Sequence, residues 1–195
     1  MRMKCGIAIG IAALLAVLGR SITPAAQALN EPLQMQPVAT RQSRLTSAMQ
    51  ATLQTLPLMM GERINAQTFS DKVVVVTFFA SWCQPCREEF EHLRQIHQAY
   101  HERGVEIIAV NYFEDFDNLS DDARLQAYLN MTEPPFTVVK GNDAASQQFG
   151  GITRIPTLFV YDRQGKRALH FFNKPDGGQP TIDMATLQDV IRRLI

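Results

Sequence analysis

Trp82-Cys83-Gln84-Pro85-Cys86 lies where an apolar strand is predicted to pass into a helix. Residues 73–79, VVVVTFF, are β-branched and aromatic, which is typical of a buried strand, and the apolar spacing beyond Pro85 is helical. Cys83 therefore begins a helix, where unpaired backbone N–H groups and the positive end of the helix dipole stabilise a thiolate. Because the thiolate is the form that attacks disulfides, the pair is predicted to be redox-active.

Two other uses of a cysteine pair are disfavoured by the spacing. A structural disulfide that closes so short a loop contributes little through chain entropy. A four-cysteine zinc site needs a second pair, and the third cysteine of the chain, Cys5, stands alone near the start. His97 and His101 have metal-binding spacing, but they lack an acidic or thiol partner at matching spacing. No metal and no organic cofactor is expected.

Residues 1–28 have the pattern of an export signal. A basic start precedes an apolar stretch at residues 5–18, and Ala26-Gln27-Ala28 forms a small-residue cleavage site. We predict cleavage after Ala28 and a periplasmic or otherwise exported protein. An uncleaved membrane anchor formed by residues 5–18 is the alternative.

Charge gives no sign of nucleic-acid binding. The whole chain has 19 Lys plus Arg and 19 Asp plus Glu, and the segment before residue 29 holds three basic and no acidic residues. The exported part therefore has a formal charge of 16 − 19 = −3.

The remainder is predicted to consist of a linker and one domain. Residues 29–56 are rich in Gln, Thr, Pro and Ala, and they show no strand signal. Within them a short amphipathic helix is predicted to pack on the domain or on a partner. Residues 57–195 suffice for a single domain with its own core. The predicted helix carries its apolar face at Leu45, Met49, Leu53 and Leu56.

The order of predicted elements in that domain indicates an α/β fold. The strand before the cysteines, the helix after them and the strand at residues 105–112 form a right-handed crossover unit with parallel strands. Catalytic groups then collect at the carboxyl ends of the strands. A helix near residues 121–130, a short strand, a short helix, a hairpin and a final helix follow. The acidic stretch at residues 114–122 is interpreted as a solvated loop and helix start.

Separate stretches in the right order resemble the thioredoxin superfamily: residues 73–90 around WCQPC, and residues 150–162, where Pro156 opens a strand. FASWC at residues 79–83, GVEIIAVN at residues 104–111 and the added helix are similar to the exported TlpA/ResA/CcmG branch. The resemblance covers roughly residues 57–195. It implies a thioredoxin-like fold, a central mixed sheet flanked by helices.

The resemblance also implies a role for each matching residue. Cys83 corresponds to the exposed attacking thiol and Cys86 to the buried resolving thiol. Pro156 corresponds to a cis-proline that faces the pair, and Ile155 offers backbone hydrogen bonds to an extended substrate. Trp82 either fills the core or shields the sulfurs as part of the docking surface.

Glu89 has two interpretations. In the ResA-like branch a glutamate at this spacing lines the site, where a partly buried carboxylate could exchange a proton with Cys86. Alternatively, it merely complements the positive end of the helix. Thr77 stands where typical thioredoxins have a buried acid, which raises the importance of Glu89.

Taken together, these features predict an exported thiol:disulfide oxidoreductase that reduces disulfides of exported proteins, for example an apocytochrome c during cytochrome c maturation. The resemblance implies regeneration by a membrane electron donor of the DsbD or CcdA type. The alternatives are a disulfide oxidase or isomerase of the same fold and a non-catalytic client- or metal-binding module.

Overall fold

The computed structural model describes residues 43–115, 122–174 and 178–195, which contain five α-helices and six β-strands. The predicted signal segment and the first part of the predicted linker lie outside the described residues. In chain order the elements are α1 Ser47–Thr55, β1 Leu58–Met60, β2 Val73–Phe79, α2 Gln84–Tyr100, β3 Val105–Asn111, α3 Asp122–Thr132, β4 Thr137–Lys140, α4 Asp143–Gln148, β5 Thr157–Tyr161, β6 Arg167–Phe172 and α5 Met184–Arg192.

The strands form one mixed sheet in the order β1-β4-β3-β2-β5-β6. Strands β2, β3 and β4 are parallel, whereas β1, β5 and β6 each pair antiparallel with their neighbours. The predicted crossover of β2, α2 and β3 is therefore present, and so is the β5–β6 hairpin. A mixed sheet flanked by helices confirms the predicted fold class.

Strand β2 lies in the middle of the sheet and is buried along its whole length. Its side chains alternate between the two faces, as they must in a strand: Val73 and Val75 enter one apolar cluster, and Val74 and Val76 enter the other. The first cluster packs under α2, α3 and α5, and the second under α1 and α4. A strand that is apolar on both faces is thus explained by helices on both sides of the sheet.

Helix α2 begins and ends as the sequence indicates, with one addition. Cys83 is its N-cap residue, and Pro85 occupies the first turn, where its missing N–H is not needed. A single 3-10 turn at His101–Arg103 extends the helix before Gly104, whose φ of 88° is accessible to glycine without a Cβ penalty. The chain then enters β3 directly.

Helix α1 belongs to the packed structure, although its residues fall within the predicted linker. Its apolar face, with Leu45 and Leu56 beside it, lies in the second core cluster, and Leu53 is fully buried. Thr46 caps the helix by accepting a hydrogen bond from the Met49 backbone N–H at 3.2 Å. The packed structure therefore starts before residue 57, the predicted domain boundary.

Strand β1, Leu58–Met60, is not among the elements predicted above. It pairs antiparallel with β4 at the edge of the sheet. Gly61 follows it with a φ of 83°, and a Cβ there would lie 2.9 Å from the Phe136 carbonyl oxygen. A three-residue strand is too short to show an alternating pattern, so only tertiary pairing reveals it.

Replacing Leu53 by Ala should destabilise the protein by about 2–5 kcal/mol, because it leaves a cavity in the core under α1. Denaturant unfolding measures this change. The control is Gln54→Ala on the exposed face of the same helix, which should change the free energy of unfolding by less than about 0.5 kcal/mol. A Leu53→Ala effect as small as the control would show that α1 is dispensable to the fold.

Candidate active site

Cys83 and Cys86 form a disulfide at the first turn of α2, with their Cα atoms 5.2 Å apart. The structure therefore represents the oxidised form. Cys83 Sγ accepts a hydrogen bond from the Cys86 backbone N–H at 3.3 Å. That N–H has no backbone partner within the helix, so it can stabilise negative charge on the sulfur once the disulfide opens.

The burial of the pair differs from the expectation of an exposed attacking sulfur. Cys83 is 4% exposed and Cys86 is 1% exposed, and both belong to the apolar cluster under α2. Cys83 is the more accessible of the two, but the disulfide holds it close against the first turn of the helix. Its neighbour Trp82 is 37% exposed and presents the open surface beside the pair.

The loop that leads from β2 to Cys83 is fixed through Ser81, which is fully buried. The Glu114 carboxylate accepts a hydrogen bond from the Ser81 backbone N–H at 2.9 Å and another from the Ser81 hydroxyl. On the other side, Arg87 donates to the Ser81 carbonyl oxygen from Nε at 3.1 Å and Nη2 at 3.0 Å. Two charged side chains from different elements thus hold the residue two positions before Cys83.

Glu114 is buried, which corrects its interpretation as part of a solvated acidic loop. Asn111 Nδ2 donates to its carboxylate at 2.7 Å, and Arg124 Nε donates at 3.1 Å. Burial alone would raise the pKa of Glu114, but the hydrogen bonds from Ser81, Asn111 and Arg124 outweigh it and lower the pKa. The sequence signal was its position just after β3, at the edge of the sheet where Cys83 also lies.

Glu89 is completely buried in α2, three residues after Cys86 and therefore on nearly the same helix face. Its Oε1 accepts a hydrogen bond from the Thr77 hydroxyl at 2.5 Å, whereas Oε2 has no hydrogen-bond partner among the residues that the structure describes. Burial raises the pKa of Glu89 to about 7, and the Thr77 hydrogen bond offsets only part of this effect.

The loop before β5 lies across from Trp82. The Ile155–Pro156 peptide bond is cis, as the resemblance implied. Ile155 and Trp82 line one cleft of about 580 Å³, together with Phe113, Asp115, Thr153, Arg154 and Asn173. Phe113, Asp115 and Arg154 were not singled out as site residues from the sequence, because their proximity depends on the approach of two distant loops.

The histidine pair does not extend into a larger ligand cluster. The rings of His97 and His101 stack with centroids 4.4 Å apart, and His101 Nδ1 lies 3.9 Å from Glu106 Oε2. Among the described residues, no group of three or more His, Cys, Asp or Glu side chains is placed to hold a metal ion. Within the same residues, no helix is long and apolar enough to cross a membrane.

The comparisons with known proteins agree with this geometry. The sequence profile of the Redoxin family matches residues 43–183. The thiol-disulfide oxidoreductase ResA of Bacillus thuringiensis subsp. konkukian (strain 97-27) is 28% identical over 106 residues, which are 54% of this chain and 58% of that protein. The matched segment thus spans little more than half of that relative.

Solved structures give the same result over a longer range. A thiol:disulfide interchange protein DsbE from Chlorobium tepidum is 30% identical, with a TM-score of 0.54, and the match covers 71% of this chain and 90% of that one. A thiol-disulfide isomerase from Corynebacterium glutamicum shares the fold, with a TM-score of 0.61 at 17% identity, covering 73% of this chain and 92% of that one.

A mixed sheet with a two-cysteine disulfide at the start of the helix after strand β2, and with a cis-proline just before the neighbouring strand β5, defines the thioredoxin class of proteins. The chain belongs to the Redoxin family and is a ResA/CcmG-like member of the thioredoxin superfamily. The resemblance inferred from its motifs is therefore confirmed.

The raised pKa of Glu89 makes stability depend on pH. The folded protein keeps the Glu89 proton up to about pH 7, whereas the unfolded chain releases it near 4.5. Between about pH 4.5 and pH 7 the free energy of unfolding therefore falls as pH rises, by about 1.4 kcal/mol per pH unit. The stabilisation that is present below this window and lost above it amounts to about 3 kcal/mol.

Glu89→Gln should flatten the pH dependence of the free energy of unfolding across this window, because a neutral amide does not titrate. The control is Glu88→Gln, at an exposed position of the same helix, which should keep the parent profile. Denaturant unfolding of the oxidised protein at several pH values measures both. If the free energy of unfolding has the same pH dependence in the parent and in Glu89→Gln, ionisation of Glu89 does not destabilise the fold and the prediction is wrong.

Proposed function

We propose that this chain is an exported thiol:disulfide oxidoreductase that reduces disulfides in exported client proteins. The observation that carries the proposal is the placement of the Cys83–Cys86 disulfide at the N-terminus of α2, beside the cleft lined by Trp82 and Ile155. The names of the ResA and DsbE relatives support the same reaction class.

The reaction proceeds by two exchanges of a sulfur–sulfur bond. In the reduced protein, the Cys83 thiolate attacks one sulfur of the client disulfide, and the other client sulfur leaves as a thiolate and takes up a proton. Cys86 then loses its proton, attacks Cys83 Sγ and releases the second client sulfur. Two electrons pass to the client, and the protein is left in the disulfide form that the structure represents.

Trp82, Ile155 and Pro156 are the proposed substrate-binding residues. Ile155 precedes β5, and neither its backbone N–H nor its carbonyl forms a hydrogen bond to any other described residue. An extended client segment can therefore pair with this edge by strand addition, which brings its disulfide toward Cys83. Trp82 covers the sulfurs and contributes an amphipathic ring to the contact.

Glu89 is the proposed proton acceptor for Cys86. A carboxyl with a pKa of about 7 is suited to proton exchange at neutral pH, because neither of its forms is strongly favoured. Thr77 donates a hydrogen bond to one carboxylate oxygen, and the other has no partner in the described part of the chain, so it is available for a proton. Glu89, held by Thr77, would then replace the buried acid of typical thioredoxins, which occupies the position of Thr77 on the strand.

The proposed setting is the periplasm or a comparable exported compartment, after cleavage at Ala28 or with residues 5–18 as an anchor. Since such compartments are oxidising, the reduced form needs a membrane electron donor, which we propose to be of the DsbD or CcdA type. An apocytochrome c in cytochrome c maturation is one candidate client. The proposed organisation is a signal at 1–28, a linker that ends before α1, and the thioredoxin-like domain.

The reduction potential of the cysteine pair distinguishes reduction of clients from the alternative, their oxidation or isomerisation. A value close to that of thioredoxin, about −270 mV, supports the reductant, whereas a value close to that of DsbA, about −120 mV, supports the oxidant. A redox titration followed by mass spectrometry after thiol alkylation gives this value directly.

Replacing Cys86 by Ser should trap a mixed disulfide between Cys83 and a client peptide, because the resolving thiol is gone. Replacing Cys83 by Ser should abolish exchange. Non-reducing electrophoresis and mass spectrometry of the reduced protein incubated with a disulfide-bonded peptide measure both. Cys5→Ser is the matched control and should react like the parent. A non-catalytic binding module would instead retain its partner when both Cys83 and Cys86 are replaced.

Glu89→Gln should remove a transition near pH 7 from the pH profile of disulfide exchange, since that transition reflects the Glu89 carboxyl. Stopped-flow measurement of client-peptide reduction across this range tests the role. Glu88→Gln should keep the parent profile. An unchanged transition in Glu89→Gln would remove Glu89 from the mechanism and leave the exchange reaction itself intact.

A further inference from the structure

Phe113 has an unusual backbone conformation for a bulky residue. Its φ is 64°, in the left-handed region that favours glycine, and its side chain is nevertheless 39% exposed. Within the described residues, the other non-glycine positions with positive φ are Asp71 and Glu133, both polar. A large apolar side chain that is partly exposed gains little packing energy, and the backbone conformation of Phe113 is itself unfavourable. Fold stability therefore does not explain a phenylalanine here, which indicates a role in function.

The backbone of Phe113 is bound to the side chain of Trp82. Trp82 Nε1 donates a hydrogen bond to the Phe113 carbonyl oxygen at 2.8 Å, which ties the loop after β3 to the cysteine motif. Tyr112 packs against Phe113 with ring centroids 4.4 Å apart. Two partly exposed aromatic side chains from distant parts of the sequence therefore form two walls of the same cleft.

The charge and size of the cleft limit what it can hold. Its lining contains one acidic and one basic side chain, Asp115 and Arg154, so it favours neither a cation nor an anion. Neither residue forms an ion pair or side-chain hydrogen bond with another described residue. A cleft of about 580 Å³ with aromatic walls is of the size that binds small ligands or a side chain with its flanking backbone.

We propose that this cleft binds an apolar side chain of the client, located next to the client's reactive cysteine in an extended segment. Phe113 and Trp82 contact that side chain, and the unpaired backbone of Ile155 aligns the segment. This inference rests on the proposed function, and it adds a substrate class: clients with an aliphatic or aromatic residue beside the cysteine. Phe113 is the specificity-determining residue.

The test uses the full chain with Cys5→Ser and Cys86→Ser, which leaves Cys83 as the only thiol. Short peptides carry one cysteine as a mixed disulfide with thionitrobenzoate, and they differ only in the residue beside it: Leu, Phe, Ser, Asp or Lys. The Cys83 thiolate forms a disulfide with the peptide sulfur, and thionitrobenzoate leaves as a coloured thiolate. Its absorbance gives the rate of each reaction.

We expect the Leu and Phe peptides to react about tenfold faster than the Ser peptide, the size expected for partial burial of one apolar side chain. Phe113→Gly should bring this ratio close to one, and glycine adopts the backbone conformation without strain. Phe113→Asn, which also tolerates the left-handed region, should do the same. Phe113→Tyr keeps the ring and should keep the ratio.

Met131→Ala is the control for loss of an exposed apolar side chain elsewhere, since Met131 is 71% exposed and does not line the cleft. It should leave the ratio unchanged. Equal rates for all five peptides in the parent, or an unchanged ratio in both Phe113→Gly and Phe113→Asn, would overturn the inference while leaving the proposed function standing. No reaction with any peptide would instead reject the proposed function.

A second copy of this chain is the competing occupant of the cleft. Sedimentation of the oxidised full chain over a range of concentrations distinguishes this occupant from a client side chain. A monomer supports the client site. Self-association in the parent that Phe113→Gly removes would overturn the inference, because the aromatic walls would then form an interface between copies.

Discussion

The hydrogen bonds to Ser81 fix the relation between the sheet and the disulfide, and the other features of the site depend on that relation. Glu114 holds the backbone N–H and hydroxyl of Ser81, and Arg87 holds its carbonyl oxygen. The Glu114 carboxylate and the Arg87 guanidinium are charged groups, and hydrogen bonds that involve a charged group are stronger than those between neutral groups. They set where α2 begins, and hence where its N-terminal donors meet Cys83.

A second buried acid, Glu89, has its pKa shifted in the opposite direction. Hydrogen bonds lower the pKa of Glu114, whereas burial with a single hydrogen bond raises the pKa of Glu89 to about 7. Two carboxyl groups near one redox centre are thus separated in role by their surroundings. Glu114 is a fixed charge that orients the loop, and Glu89 can change its protonation state at neutral pH.

The open side of the site is formed by three segments that are distant in sequence. The cysteine motif contributes Trp82, the loop after β3 contributes Phe113, and the loop before β5 contributes Ile155. They meet because β2, β3 and β5 are neighbours in the sheet, with β2 in the middle. The disulfide itself is nearly enclosed, so the exposed surface of the site is formed by these three segments rather than by the sulfurs.

The sequence pattern predicts the α/β class, the central strand and the position of Cys83 at a helix N-terminus, and the family resemblance adds the cis-proline. These features are local, or they depend on one pattern such as WCQPC or the apolar run of β2. The packing of α1 into the core, the burial of Glu114 and the hydrogen bond between Trp82 and Phe113 could not be predicted in this way. Each depends on contacts between residues far apart in the chain, and neither a charge run nor a single aromatic residue shows what will pack against it.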